Sequence, residues 1–312
     1  MADLFAMKTP SGQLDPNKIQ YPVLVQPKLD GLRGICIKDS AHGIVGCRWF
    51  SFTGKPLWNL EAISASLPDG DVGVYDGEII WPGHPFSDAY GLCKRQTSNA
   101  ETKRQAQELR YHVFDRLELS EWSSKSTGRQ FDQRLKKLML LDKKGDVGEH
   151  FQVVGVDRVD DADDLERMYR LYLAAGHEGL MAKKAGGLYH WTRHPDWHRY
   201  KPTVTHDVRV IAVYEENDKH GEPKGALGGV LVEVQAEDGF PEATCKVGGG
   251  FTKLQRKEFW TLNKVSKTMT YEGVLMHDGS PLIGQVIEVE SKCRNPSGAL
   301  REPHFVRLRE DK

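Results

Sequence analysis

Apolar and polar positions alternate in short runs through the first third of the chain. β-Branched and aromatic residues gather at Tyr21 to Val25, Gly34 to Lys38, Gly43 to Phe50, Val74 to Ile80 and Tyr111 to Phe114, with Gly and Asp between them. Runs this short predict strands. The period then changes. Phe131, Leu135, Leu138 and Met139 recur at helical spacing after a Thr127 cap, and Leu165, Met168, Tyr169 and Tyr172 do so ahead of a Gly176 stop. This spacing predicts two amphipathic helices whose stripes face a core.

Beyond Lys201-Pro202 short strands return. VRVIAVY from Val208, GGVLVEV from Gly228, ATCKV from Ala243, QVIEVE from Gln285 and FVRL from Phe305 are separated by Gly-containing turns, with a helical stretch from Thr252 to Asn263 among them. The pattern predicts a small five-stranded barrel of OB type, and Asp218 to Gly225 reads as a hairpin loop. A chain of 312 residues suits two domains at roughly 100–200 residues each. The expected fold class is α+β, with domains 1–203 and 204–312.

No stretch approaches the roughly 20 apolar residues of a membrane span, and MADLFAMKTPSG lacks the apolar segment of a secretory signal. A cytoplasmic protein without a membrane partner is therefore expected. Cys36, Cys47, Cys93, Cys245 and Cys293 form no CxxC pair, which points to reduced thiols rather than a disulfide framework or a structural zinc site. The net charge of -1 hides an uneven distribution. Lys94-Arg95, Lys103-Arg104, Arg134 to Lys144, Lys253 to Lys267 and Arg301 to Arg309 are basic, whereas Asp157 to Glu166 is acidic. Nucleic-acid binding depends on such a distribution and not on the sum, and the set suggests a surface that tracks phosphates.

Chemistry enters with KLDGLR, Lys28 to Arg33, which ends the apolar run YPVLVQP and sets a lysine beside a carboxylate, Gly31 and an arginine. An ordinary lysine is a solvated cation with pKa roughly 10.4. Carried to the edge of a packed sheet, desolvated and near other cations, it presents a neutral amine that attacks electrophiles. Further motifs follow: DGE at Asp76 to Glu78, FD at Phe114 and Asp115, EGLMAK at Glu178 to Lys183, WHRYK at Trp197 to Lys201, and REDK at Arg309 to Lys312. With KxDGxR, the nucleotidyl-transferase signature, they stand in the order found in ATP-dependent DNA ligases. The chain resembles that family, most closely its compact phage and bacterial forms, over nearly its whole length.

The resemblance implies a nucleotidyltransferase (adenylation) domain of antiparallel sheets with flanking helices, followed by the OB barrel. It implies ATP and Mg2+ or Mn2+ as cofactors, nicked double-stranded DNA as partner, and a monomer. Lys28 is the implied nucleophile, which becomes a lysyl-AMP. Glu178 is the implied metal ligand, and Glu78 serves the ribose or metal side of the pocket. Phe114 matches the aromatic that stacks on the base. Lys183 and Lys201 match the lysines that contact the α-phosphate, and Arg199 stands where many members have the first lysine of a KxK pair. Arg33 matches the arginine that contacts nucleotide and nicked strand. Arg309 and Lys312 match the basic residues that orient pyrophosphate.

One departure stands out. Family members usually carry Ser-Arg-Thr downstream of the nucleophile, whereas WFSFTGK puts Phe52 where that arginine is expected. Arg48 lies four residues earlier, on the same face of an alternating strand, and is expected to supply the missing cation toward the 5'-phosphate. Basic Pro85 to Lys103 is expected to form a DNA-binding loop with Lys94, Arg95, Lys103 and Arg104. His190, His194 and His198 are spaced as a helical metal face would be, but Pro195 and Gly186-Gly187 oppose a continuous helix; Trp191 and Trp197 are expected to pack the domain junction. Only 27 residues precede Lys28, too few for the nicotinamide-recognising domain of NAD-dependent ligases. The alternatives are an RNA ligase, an mRNA-capping guanylyltransferase, or a nonenzymatic OB-type nucleic-acid-binding protein.

Overall fold

The computed structural model describes the chain except residues 1–4, 11–13, 42–43, 144–146, 203, 238, 261–266 and 310–312. It is a sheet-rich mixture of helices and strands in two compact units, Met1–Lys201 and Pro202–Lys312. No helix among the described residues is long and apolar enough to cross a membrane.

The first unit is built on two sheets. One has the strand order Ile44–Ser51, Leu32–Ala41, Gly73–Ile80, Arg110–Leu117, Phe151–Val153, antiparallel until the last pair, which is parallel. The other runs Asp157–Val159, Val23–Pro27, Leu180–Lys184, Trp197–Tyr200, antiparallel throughout. Each expected strand of the region is present with bounds shifted or extended by a few residues; Gly43 lies outside the described residues.

The strand-dominated reading missed four helices: Glu61–Ala65, Phe86–Lys94, Ala100–Ala106 and Leu119–Ser124. All are short, so their periodicity is weak. Two of them fall where a basic loop was expected, between Pro85 and Lys103. Asn99 caps the second of these, its side chain accepting from Thr102 N–H.

Both expected longer helices form, Phe131–Lys143 and Ala162–Ala174. In the first, Arg134 joins Phe131, Leu135 and Leu138 in the core, whereas Met139 is 38% exposed. Thr127 does not cap it. Its hydroxyl donates to Glu121 and accepts from Arg129 N–H in the loop before the helix. Gly176 does follow the second helix, at φ +84°, a conformation glycine adopts without steric cost. Buried Arg134 earns its place through Asp115: Nε and Nη2 donate to its two carboxylate oxygens at 2.8 and 2.9 Å, and both side chains are fully buried. Removing one partner leaves the other charge buried alone. Asp115→Ala is therefore expected to cost roughly 3–5 kcal/mol, read as a lower midpoint in urea; an unchanged midpoint would contradict this account of the pair.

In the second unit an antiparallel ladder runs Ala243–Val247, Pro223–Val234, Val204–Asn217, Val286–Ser291, His304–Leu308. Val208, Val210, Val230, Val232, Ile287 and Val289 fill its core. The loop after Val204–Asn217 turns at Asp218, as expected of a hairpin. A second hairpin, Thr268–Tyr271 with Val274–His277, was not anticipated. The expected helix forms over Lys253–Phe259, with a capping box between Thr252 and Gln255. Among the described residues the ladder does not close into a barrel: one isolated parallel bridge, Gly249 to His304, links the segment after Ala243–Val247 to the last strand.

Candidate active site

The strand Val23–Pro27 delivers Lys28 by backbone pairing that continues one rung past its end. Lys28 N–H donates to Gly179 O at 2.8 Å and Glu178 N–H to Lys28 O at 3.1 Å. Lys28 is thus hydrogen-bonded to two successive residues of the opposite segment, which brings Glu178 beside it: Lys28 Nζ lies 2.5 Å from Glu178 Oε2, with side chains 22% and 11% exposed. Gly179 makes the approach possible. Its φ is +146°, and a Cβ there would lie 2.2 Å from Tyr200 O. The nearest ionic partner of Lys28 is thus a carboxylate, not the neighbouring cations expected from sequence.

The amine opens on a cavity of about 400 Å³ lined by Lys28, Arg33, Glu78, Phe114, Lys183 and Arg199, with Lys8, Phe52, Arg193 and Trp197 among the other walls. Glu78 pairs across the sheet with Arg33. Gly31 makes room for it, since a Cβ there would meet Glu78 Cγ at 2.8 Å and Ile79 O at 2.6 Å. Burial pushes the Glu78 carboxyl up to about 8; Lys28 and Arg33 oppose the shift, while Asp76 and Glu178 add to it.

Phe114 reaches the cavity through a β-bulge. Asp76 pairs with Asp115 and Gly77 with Val113, so Phe114 is the extra residue, and a bulge re-aims its side chain. The ring meets Trp197 edge-on at 5.9 Å. Lys183 Nζ sits within 4.7 Å of the ring centroids of Phe114, Phe131 and Trp197 and donates to Phe114 O at 3.4 Å. Burial holds this lysine down at about 7 against the pull of Asp115 and Asp76. Arg199 Nε is buried without a hydrogen-bond partner, a donor suited to an anion.

Arg33 lies in the wall, but its fork is committed: Nε and Nη2 donate to Asp76 at 2.8 and 2.6 Å, and Nη1 to Met7 O at 2.7 Å. Asp76 also accepts from Tyr189 O–H at 2.8 Å. Sequence reasoning gave Asp76 no role, although the D of DGE beside a sheet-borne arginine was the signal.

Other expected residues lie elsewhere. Arg48 is not among the residues lining the cavity; its Nη2 donates to Asp39 Oδ2 at 2.6 Å and its side chain is 60% exposed. The strand ends at Ser51, so the alternation that linked Arg48 to Phe52 stops before Phe52. Lys8 and Arg193 supply cations at the cavity instead, and Lys8 Nζ stands 4.2 Å from the Phe52 ring centroid. Lys94, Arg95, Lys103 and Arg104 are exposed, and Arg104 pairs with Glu101 and Glu108. Lys201 is half-buried at the end of the first unit. Arg309, in the second unit, donates to Asp207 at 2.8 Å; Lys312 lies outside the described residues. Trp191 and Trp197, expected at a domain junction, are buried in the core of the first unit with Met7, Ile35 and Tyr189.

Residues 6–201 match the family model for the ATP dependent DNA ligase domain. The chain belongs to the ATP-dependent DNA ligase family. Among its relatives in this family, the DNA ligase of Thermococcus onnurineus is 29% identical over 301 residues, covering 91% of this chain and 51% of that protein. The chain thus spans about half the length of that ligase. A solved chain named Pmar-Lig_Pre. has the same fold at a TM-score of 0.75 and 23% identity, with 99% of this chain and 68% of that one covered. A solved Lig E DNA ligase matches at a TM-score of 0.69 and 21% identity, over 96% of this chain and 98% of that one.

Proposed function

We propose that this ligase-family chain seals nicks in duplex DNA, joining a 5'-phosphate to a 3'-hydroxyl with ATP as the adenylyl donor. The observation that carries the reading is the Lys28–Glu178 pair, 2.5 Å apart at a cavity that also holds Phe114 and Glu78. Lys28 Nζ attacks the α-phosphorus of ATP; the N–P bond forms, the α–β bridging P–O bond breaks, and pyrophosphate leaves. Glu178 Oε2 is placed to take the proton the amine sheds. The AMP then passes to the 5'-phosphate of the nick, and attack by the 3'-hydroxyl expels it. Phe114 offers a stacking face to the purine. Arg199 and Lys183 offer positive charge to the phosphates, and Lys201 is assigned to the same group.

Glu78 and Glu178 are hard oxygen donors of the kind Mg2+ and Mn2+ take. Burial leaves the charged form of Glu78 short of solvation, so the donor set fits a divalent cation, which when bound would offset charge on the phosphate oxygens. The first unit acts as the adenylation domain. An OB-type arrangement of the second is supported by the Gly249–His304 bridge between the segment after Ala243–Val247 and the last strand and by Phe251 stacked on Phe305 at 4.3 Å.

The test is sealing of nicked duplex DNA with ATP, GTP and NAD in parallel, with mass spectrometry of the protein. ATP alone is expected to support sealing and to add one AMP to Lys28. Labelling by GTP alone, or an unmodified Lys28, would overturn the reading. DNA contact is assigned to the exposed cations on the helices Phe86–Lys94 and Ala100–Ala106. Neutralising Lys94, Arg95, Lys103 and Arg104 together is expected to weaken binding and to reduce the salt slope by about 0.9 per lost phosphate contact; an unchanged slope removes these helices from the DNA surface.

A further inference from the structure

Residues 188–196 form an irregular loop, as Pro195 implies, yet the loop gathers two of the three spaced histidines, with Asp196 in place of His198. The His190 and His194 rings stack with centroids 3.5 Å apart. His190 Nε2 lies 3.2 Å and His194 Nδ1 3.5 Å from Asp196 Oδ2, and one ligand atom of each residue falls within 4.8 Å of the others. We propose that His190, His194 and Asp196 form a transition-metal site, best matched to Zn2+, with water completing a four-coordinate shell.

Three observations support it. A tetrahedral shell with bonds of roughly 2.0–2.1 Å has donor–donor edges of about 3.3–3.4 Å, and the two observed edges bracket that value. Two imidazoles and one carboxylate suit zinc and its neighbours, whereas Mg2+ and Ca2+ take oxygen. The aspartate is also held in place: Leu188 N–H donates to its carboxylate Oδ2 at 3.2 Å, and Lys184 N–H fixes its backbone by donating to the Asp196 carbonyl at 2.9 Å. Contacts of this kind orient metal ligands. On loading, the imidazoles turn out of their stack, and His194 Nδ1 releases the Asp196 N–H that donates to it at 3.2 Å. The site uses neither Glu78 nor Glu178. Its loop carries Arg193 to the cavity wall and is tied to Lys8, whose carbonyl accepts from His194 N–H at 2.9 Å, so a bound metal would fix two cations at the cavity.

The test uses the full chain, stripped by chelation and held in excess Mg2+ so that oxygen-donor sites are filled. Calorimetric titration with Zn2+ is expected to show one equivalent bound. His190→Gln and Asp196→Asn should each weaken binding at least about a hundredfold, roughly 2.7 kcal/mol. His84→Ala, which breaks a surface His–Asp pair at 3.4 Å, should leave it unchanged. Co2+ should give the intense visible absorption of a tetrahedral site in the native chain and lose it in His190→Gln. Circular dichroism identifies a variant that fails to fold, and the other then decides. Absence of stoichiometric binding, or binding that survives both His190→Gln and Asp196→Asn, would overturn the proposal.

Discussion

Lys28→Ala and Lys28→Arg are both expected to abolish AMP transfer to the protein, with a loss of about 10⁵-fold or more, the scale seen when a catalytic nucleophile is removed. Alanine has no amine. Arginine keeps the charge but stays protonated and cannot attack. Single-turnover incorporation of label from ATP measures the effect, and appreciable labelling of either variant would show that the nucleophile lies elsewhere. Both variants should remain folded. Lys28→Ala removes one ion pair of Glu178, whose side chain is 11% exposed, which costs about 1–3 kcal/mol and only part of a typical domain's stability. Glu178→Gln separates position from charge: the residue still accepts from Lys28 but no longer takes up its proton, and a loss of about 10²–10⁴-fold is expected.

The elements of this site were readable from sequence because each sits where local rules act. Lys28 follows an apolar strand, Gly31 stands inside its motif, and Glu178 heads an apolar run after the Gly176 helix stop. What sequence hid depends on contacts across many residues. Phe114 reaches the cavity through a bulge that appears only in the pairing of two strands. Arg33 is held by an aspartate 43 positions away, so its donors face the wall as well as the cavity. Lys183 matched a phosphate contact by motif, yet its amine lies among three rings. A lysine so desolvated gains positive charge most readily when an anion arrives. Arg48 shows the opposite error. Period-two reasoning holds only while the strand lasts, and this strand ends at Ser51. The two cations found at the cavity instead, Lys8 and Arg193, come from segments that carry no motif. They are joined by an isolated bridge across the sequence.

Glu78→Gln is expected to trade activity for stability, with a pH dependence that identifies the cause. The Glu78 carboxyl, near 4.5 unperturbed, is held at about 8 in the folded chain. The folded state therefore binds its proton more tightly than the unfolded state does. That contribution is complete below about 4.5 and is lost as pH rises through about 8. Glutamine is neutral at every pH and removes this slope. The variant should match the native chain in thermal stability near pH 4.5 and exceed it by a margin that grows up to about pH 8 and then levels off, at about 2–4 kcal/mol after allowing for partial solvent access. Adenylylation should fall about 10²–10³-fold, because the neutral amide no longer offers a charged oxygen to a cation or to the ribose side of the pocket. Melting curves without nucleotide across pH 5–9 decide the matter. A stability difference that stays flat with pH would mean that Glu78 titrates as an ordinary carboxylate, and the buried charge would no longer account for its place beside Lys28.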